Sequence, residues 1–79
     1  MDVVKKVSDL VIMPIEKLGY KVENITYEKE DGNFYLRVII DKMGGISVDD
    51  CVNVSRCIDP LLDEADLIED NYILDVCSK

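Results

Sequence analysis

Apolar residues recur early in the chain at Val4, Val7, Val11, Ile15 and Leu18, in steps of three and four. That spacing puts one apolar stripe on a helix and predicts a helix over residues 2–18. Asp2 is the expected N-cap, Lys17 suits the negative end of the helix dipole, and Gly19 suits the left-handed residue after a helix. Pro14 lacks a backbone donor and clashes with the preceding turn, so a kink is expected there.

The period then shortens to two. Residues 21–30 read as a strand, with Ile25 and Tyr27 among alternating polar positions. Asp31-Gly32 follows, a hairpin signal because both central residues of the favoured turn need positive φ. Over residues 33–41, Phe34, Leu36, Val38 and Ile40 share one face, and Tyr35, Arg37, Ile39 and Asp41 share the other. The first set is the expected core side. After a loop at Lys42-Met43-Gly44-Gly45, Ser47 is placed to cap a second helix, with Asp50 in the capping-box position that usually holds Glu or Gln. Its expected buried stripe is Val48, Cys51, Val54, Ile58 and Leu61 or Leu62, with Pro60 expected to bend or end the helix. Residues 71–77 form a third strand in which Tyr72, Leu74 and Val76 alternate with Ile73, Asp75 and Cys77.

The predicted class is therefore α+β: an α-β-β-α-β two-layer sandwich, a three-stranded sheet with two helices on one face and the other face open. Its 79 residues are expected to make a single domain over residues 1–79.

Charge narrows the partners. Seventeen acidic residues face nine basic ones and there is no histidine, for a net charge of −8. Affinity for a nucleic-acid backbone comes from Lys and Arg displacing counterions, so broad contact of that kind is disfavoured and a basic partner is favoured. The acidity is also uneven. Asp59, Asp63, Glu64, Asp66, Glu69, Asp70 and Asp75 fall in a stretch without Lys or Arg, whereas most cations lie in the first half. One end of the molecule is expected to be acidic.

Cys51, Cys57 and Cys77 form no CxxC pair, and without histidine they make no zinc signature. Cys51 and Cys57 are separated by roughly 9 Å of helical rise, too far for a bridge. Reduced, mostly buried thiols in a cytoplasmic protein are expected. The apolar run over residues 10–15 is interrupted by Pro14 and too short for a signal or a membrane span. The glycosylation patterns at Asn24 and Asn53 then carry no weight.

Catalytic constellations fail one by one. Asp49 and Asp50 point about 100° apart on a helix and there complement the dipole rather than grip a metal. A calcium loop over residues 63–74 has Ala65, Ile68 and Leu74 at its third, sixth and twelfth positions, where it needs an oxygen ligand, glycine and Glu. Gly44-Gly45 lacks the remainder of a phosphate loop and suits a tight turn. The element order is also that of a KH RNA-binding module, whose GXXG clamp is missing here. No enzyme and no cofactor are expected.

A longer pattern is more specific. Residues 36–42, Leu-Arg-Val-Ile-Ile-Asp-Lys, then Gly44-Gly45-Ile46-Ser47-Val48-Asp49-Asp50-Cys51 and Val54-Ser55-Arg56, closely resemble the bacterial ribosome maturation factor RimP family. Pro14, Leu18-Gly19-Tyr20, Leu61-Leu62-Asp63 and the strand from Tyr72 to Val76 agree with it. The resemblance is to the N-terminal half of that family. Its members continue into a Ser-Ser-Pro-Gly-Leu-Asp-Arg segment and a small C-terminal barrel, so the chain is expected to be an isolated N-terminal domain of that pattern.

The resemblance implies a non-enzymatic factor that binds the immature small ribosomal subunit and promotes its maturation by contacting a basic small-subunit ribosomal protein near the decoding centre. Arg37, Asp41, Lys42, Asp49, Asp50 and Arg56 match the family pattern and are the expected partner-binding residues. The alternative is a KH-like RNA-binding module that touches ribosomal RNA through the open sheet face, with Arg37, Lys42 and Arg56 as its cations. Neither reading involves a membrane.

Overall fold

A computed structural model describes residues 3–68 and 70–79. Helix α1 spans Val3–Lys17, strands β1 and β2 span Lys21–Glu30 and Asn33–Asp41, helix α2 spans Val48–Ala65, and β3 spans Tyr72–Ser78. The α-β-β-α-β order and the α+β class are those expected. The strands lie in the order β1-β2-β3, with β1 antiparallel and β3 parallel to the central β2. A parallel neighbour cannot be reached by a hairpin, and α2 supplies the crossover.

The turn between β1 and β2 behaves as its residues require. Asp31 and Gly32 have φ of 49° and 84°, the positive pair of a type I′ turn. The core then forms from three rows. Val7, Val11 and Ile15 of α1 and Val54, Ile58 and Leu62 of α2 close over Leu36, Val38 and Ile40 of β2. Burying each such side chain contributes about 1.5–3 kcal/mol, enough for a sheet covered on one face to hold two helices.

One irregularity makes β1 fit. Val22 and Ile25 are three apart, so a regular strand would point them to opposite faces. The register shifts between Val22 and Asn24, and Val22 comes to lie opposite Ile40 while Ile25 lies opposite Val38. Both then pack on the core.

Several sequence expectations are corrected. Leu18 lies beyond α1 and is 49% exposed, because the chain turns away at Gly19. Val48 is 80% exposed; the stripe that faces inward on α2 is Asp50, Val54, Ile58 and Leu62, in steps of four. Pro60 does not end α2, which continues to Ala65. The three cysteines are half-buried thiols rather than core residues. The expected Asp2 cap lies outside the described residues. Among the described residues no helix is long and apolar enough to cross a membrane.

Candidate functional site

The first polar residue of the inward stripe of α2 is the centre of the site. Ser47 caps α2: its Oγ accepts from the Asp50 backbone N–H at 3.2 Å, and its own N–H donates to Asp50 Oδ2 at 2.8 Å. Asp thus completes a capping box in place of Glu or Gln. The same carboxylate reaches two further elements. Tyr20 donates its hydroxyl to Asp50 Oδ1 at 2.6 Å, and Lys42 Nζ lies 3.1 Å from that oxygen.

Local backbone rules deliver both partners. Tyr20 N–H donates to the Ile15 carbonyl at 3.3 Å and Gly19 N–H to that of Glu16 at 2.9 Å. With Gly19 at φ 95°, this is a Schellman end to α1, and it turns Tyr20 back onto the core. Lys42 follows the last residue of β2, where the Asp41 carboxylate accepts its backbone N–H at 2.9 Å. Its ammonium sits 5.5 Å from the Tyr20 ring centroid as well.

The electrostatics follow from these contacts. The Ser47 backbone N–H first, then the Tyr20 hydroxyl and the Lys42 ammonium, hold the Asp50 carboxyl well below the usual carboxylate range. The bond to Asp50 and then desolvation push the Tyr20 phenol above its ordinary value. A carboxylate and a phenol moved apart in this way are fixed in charge at neutral pH, which suits them to hold shape rather than to exchange protons. What they hold is the loop over residues 43–47, whose Met43 side chain is fully exposed at 100%.

Arg37 is committed elsewhere. It makes a two-pronged bond to Glu30 at 2.8 and 3.1 Å, lies 3.5 Å from Asp75, and stacks on the Tyr35 ring at 5.0 Å. This knot ties all three strands on the open face. The Glu30 bond raises the Arg37 guanidinium further above its ordinary value, and Arg37 holds Glu30 below the usual range.

Of the six residues picked out in the sequence, Lys42 and Asp50 meet directly and Asp41 supports Lys42. Asp49 is exposed in the first turn of α2, Arg56 is exposed further along it, and Arg37 belongs to the separate strand-face knot. Tyr20 was visible in the sequence only as part of a resemblance, since 30 positions separate it from Asp50. The roles of Glu30 and Asp75 carried no sequence signal. Strand register sets Arg37 beside Asp75, whereas Glu30 lies opposite Asn33 and is met by the long Arg37 side chain reaching along the sheet.

Across most of this fold, the chain is similar to a known family: the family model of the RimP N-terminal domain matches residues 10–79.

Proposed function

The chain belongs to the RimP N-terminal domain family, of ribosome maturation factors in small-subunit (30S) assembly, and from that premise we propose that it is an interaction domain for the immature subunit. It binds a basic small-subunit ribosomal protein near the decoding centre, in the cytoplasm, acting as one domain over residues 1–79 that organises a partner rather than transforming a substrate.

The observation that carries this reading is the exposed acidic end. Asp59, Asp63, Glu64, Asp66 and Asp70 are all exposed on the last turns of α2 and the segment after it. A basic protein is drawn to such a surface, whereas a phosphate backbone is repelled. The rival RNA reading draws on Arg37, Lys42 and Arg56. The first two are already held by carboxylates, and the exposed Arg56 is a single cation, too little for the counterion release that RNA binding draws on. The partner-binding role therefore falls to exposed carboxylates, with the Asp50 hub and Asp41 shaping the loop beside Asp49 and Arg56.

The test is binding of the purified chain to immature small subunits, and to the isolated basic protein, at low and high salt. Tight binding that weakens steeply with salt is expected. Absence of binding to either at low salt removes the proposal.

A further inference from the structure

The two edges of the sheet are guarded very differently. The β1 edge carries a register irregularity between Val22 and Asn24 and the charges of Lys21, Glu23, Glu28, Lys29 and Glu30. Bulges and charges of this kind stop other chains from pairing. The β3 edge has neither device. Its register with β2 runs unbroken from Tyr72 to Ser78, it contains no Lys, Arg or Pro, and its one charge, Asp75, is drawn to Arg37. Among the described residues β3 pairs with β2 alone, so its outer row of backbone groups is open.

Helix α2 packs against β3, and two hollows lined by both elements make a trough along their seam. Toward the start of β3 the trough is a hollow of about 390 Å³, where Asp59, Asp63, Asp66 and Asp70 face Tyr72 and Leu74. Toward the end of β3 it is a hollow of about 360 Å³, where Val48 and Val52 flank Val76 and Arg56 and Ser55 complete the lining with Cys51. The trough is thus acidic at one end, and at the other mainly apolar with one cation.

Taking the proposed basic ribosomal protein as the partner, we infer that the open β3 edge and the α2 trough accept an extended basic segment of it as a fourth strand. Spacing supports the match. Asp59 and Asp63 are one helical step of four apart, about 6 Å of rise, and same-face residues of a strand are separated by about 6.6 Å. Two lysines or arginines at alternate positions therefore meet both carboxylates, and an apolar residue further along the same face meets Val48 and Val52. Backbone bonds to β3 supply affinity, and the two ends of the trough select the side chains. Charge decides against a second copy of this chain, because two molecules of net charge −8 would bring acidic rims together.

Two probes test this: the basic small-subunit ribosomal protein, and a capped octapeptide with lysine at its first and third positions, valine at its fifth and seventh and threonine between, so that lysines and valines share one strand face. Amide exchange of the full chain is followed with each. Protection of residues 72–78 is expected, with β1 amides unchanged. Neutralising the trough with Asp59→Asn and Asp63→Asn together should weaken binding of both probes on the order of tenfold at low salt. Ile73→Lys, at a position 47% exposed, places a guarding lysine on the edge and should weaken them similarly. If that variant fails to fold, the double Asn variant decides, since both its positions are exposed.

Binding of the ribosomal protein without protection of β3, or unaffected by the double variant, overturns the inference and leaves the proposed function standing. Seating of the peptide on β3 with no binding of the ribosomal protein upholds the edge site and removes the proposed partner. A dimer of the chain alone with β3 protected overturns it in favour of self-pairing.

Discussion

Tyr20 donates its hydroxyl to Asp50 Oδ1 at 2.6 Å and so joins the end of α1 to the first turn of α2. A bond to a carboxylate is stronger than one between neutral groups, and here the acceptor also caps a helix. Tyr20→Phe leaves the ring in the core but removes the donor, and Asp50→Asn keeps the shape but removes the charge. Each should lower the denaturation midpoint, with Asp50→Asn the larger effect because it also weakens the Lys42 contact. The double variant should lose less than the sum, since the two share one bond. Urea titration of the four proteins measures the coupling; strict additivity would mean the bond is not formed in solution.

The same carboxylate sets an acid limit. Its folded pKa lies below the ordinary Asp value of 3.8. Its contribution to stability is therefore complete above that value and disappears as pH falls through the depressed folded one. Stability of the natural chain should decline more steeply below pH 3.8 than that of Asp50→Asn. Thermal melts across the acid range compare the two slopes, and parallel profiles would contradict the assignment.

The sequence made the central strand plain because its apolar residues alternate without interruption from Phe34 to Ile40. The capping box was equally readable, since Ser47 and Asp50 are close neighbours in the chain. Val22 and Ile25 conflicted until a register shift placed both inward, and no local signal announces such a shift. Val48 appeared to continue the α2 stripe, but the true inward row begins at Asp50, a polar residue that an apolar-spacing rule passes over. Asp50 is tolerated there because partners from three segments satisfy it, and two of them are tertiary. Resemblance to a family identified the residues of this region; only the fold showed which of them touch.

Inward and outward positions of α2 give a direct contrast. Ile58 is wholly buried, and Ile58→Ala should cost about 2–5 kcal/mol through lost burial and a cavity. Val48→Ala, at the exposed start of the helix, should stay within about 0.5 kcal/mol. Equilibrium denaturation of both variants checks the orientation of the helix.

Gly19 occupies a φ of 95°, where a side chain is strained, although an added Cβ would meet nothing within 4 Å. Gly19→Ala should therefore cost about 1–2 kcal/mol from backbone conformation alone. Because this turn delivers Tyr20 to Asp50, the variant should also bring the Tyr20 phenol back toward its ordinary value of 10.0. Ultraviolet titration of the natural chain, Gly19→Ala and Tyr20→Phe separates the two effects. A variant destabilised with the Tyr20 titration unmoved would show that the turn and the hydrogen bond are independent.

Arg37 gives the sharpest separation of a structural from a binding role. Its guanidinium spans Glu30 on one neighbouring strand and Asp75 on the other, with Tyr35 beneath it. A fork geometry of this kind is not reproduced by lysine, so Arg37→Lys should lower stability, and Arg37→Gln should lower it further by leaving two carboxylates without their cation. If Arg37 instead contacted RNA, Arg37→Gln would weaken RNA binding and reduce its salt slope by about one. The expected outcome is a lowered midpoint with no change in that slope for a single-stranded oligonucleotide measured by anisotropy at low salt. A reduced slope with unchanged stability would return the open face to the RNA reading, because a cation free enough to release a counterion cannot be fully spent on Glu30 and Asp75.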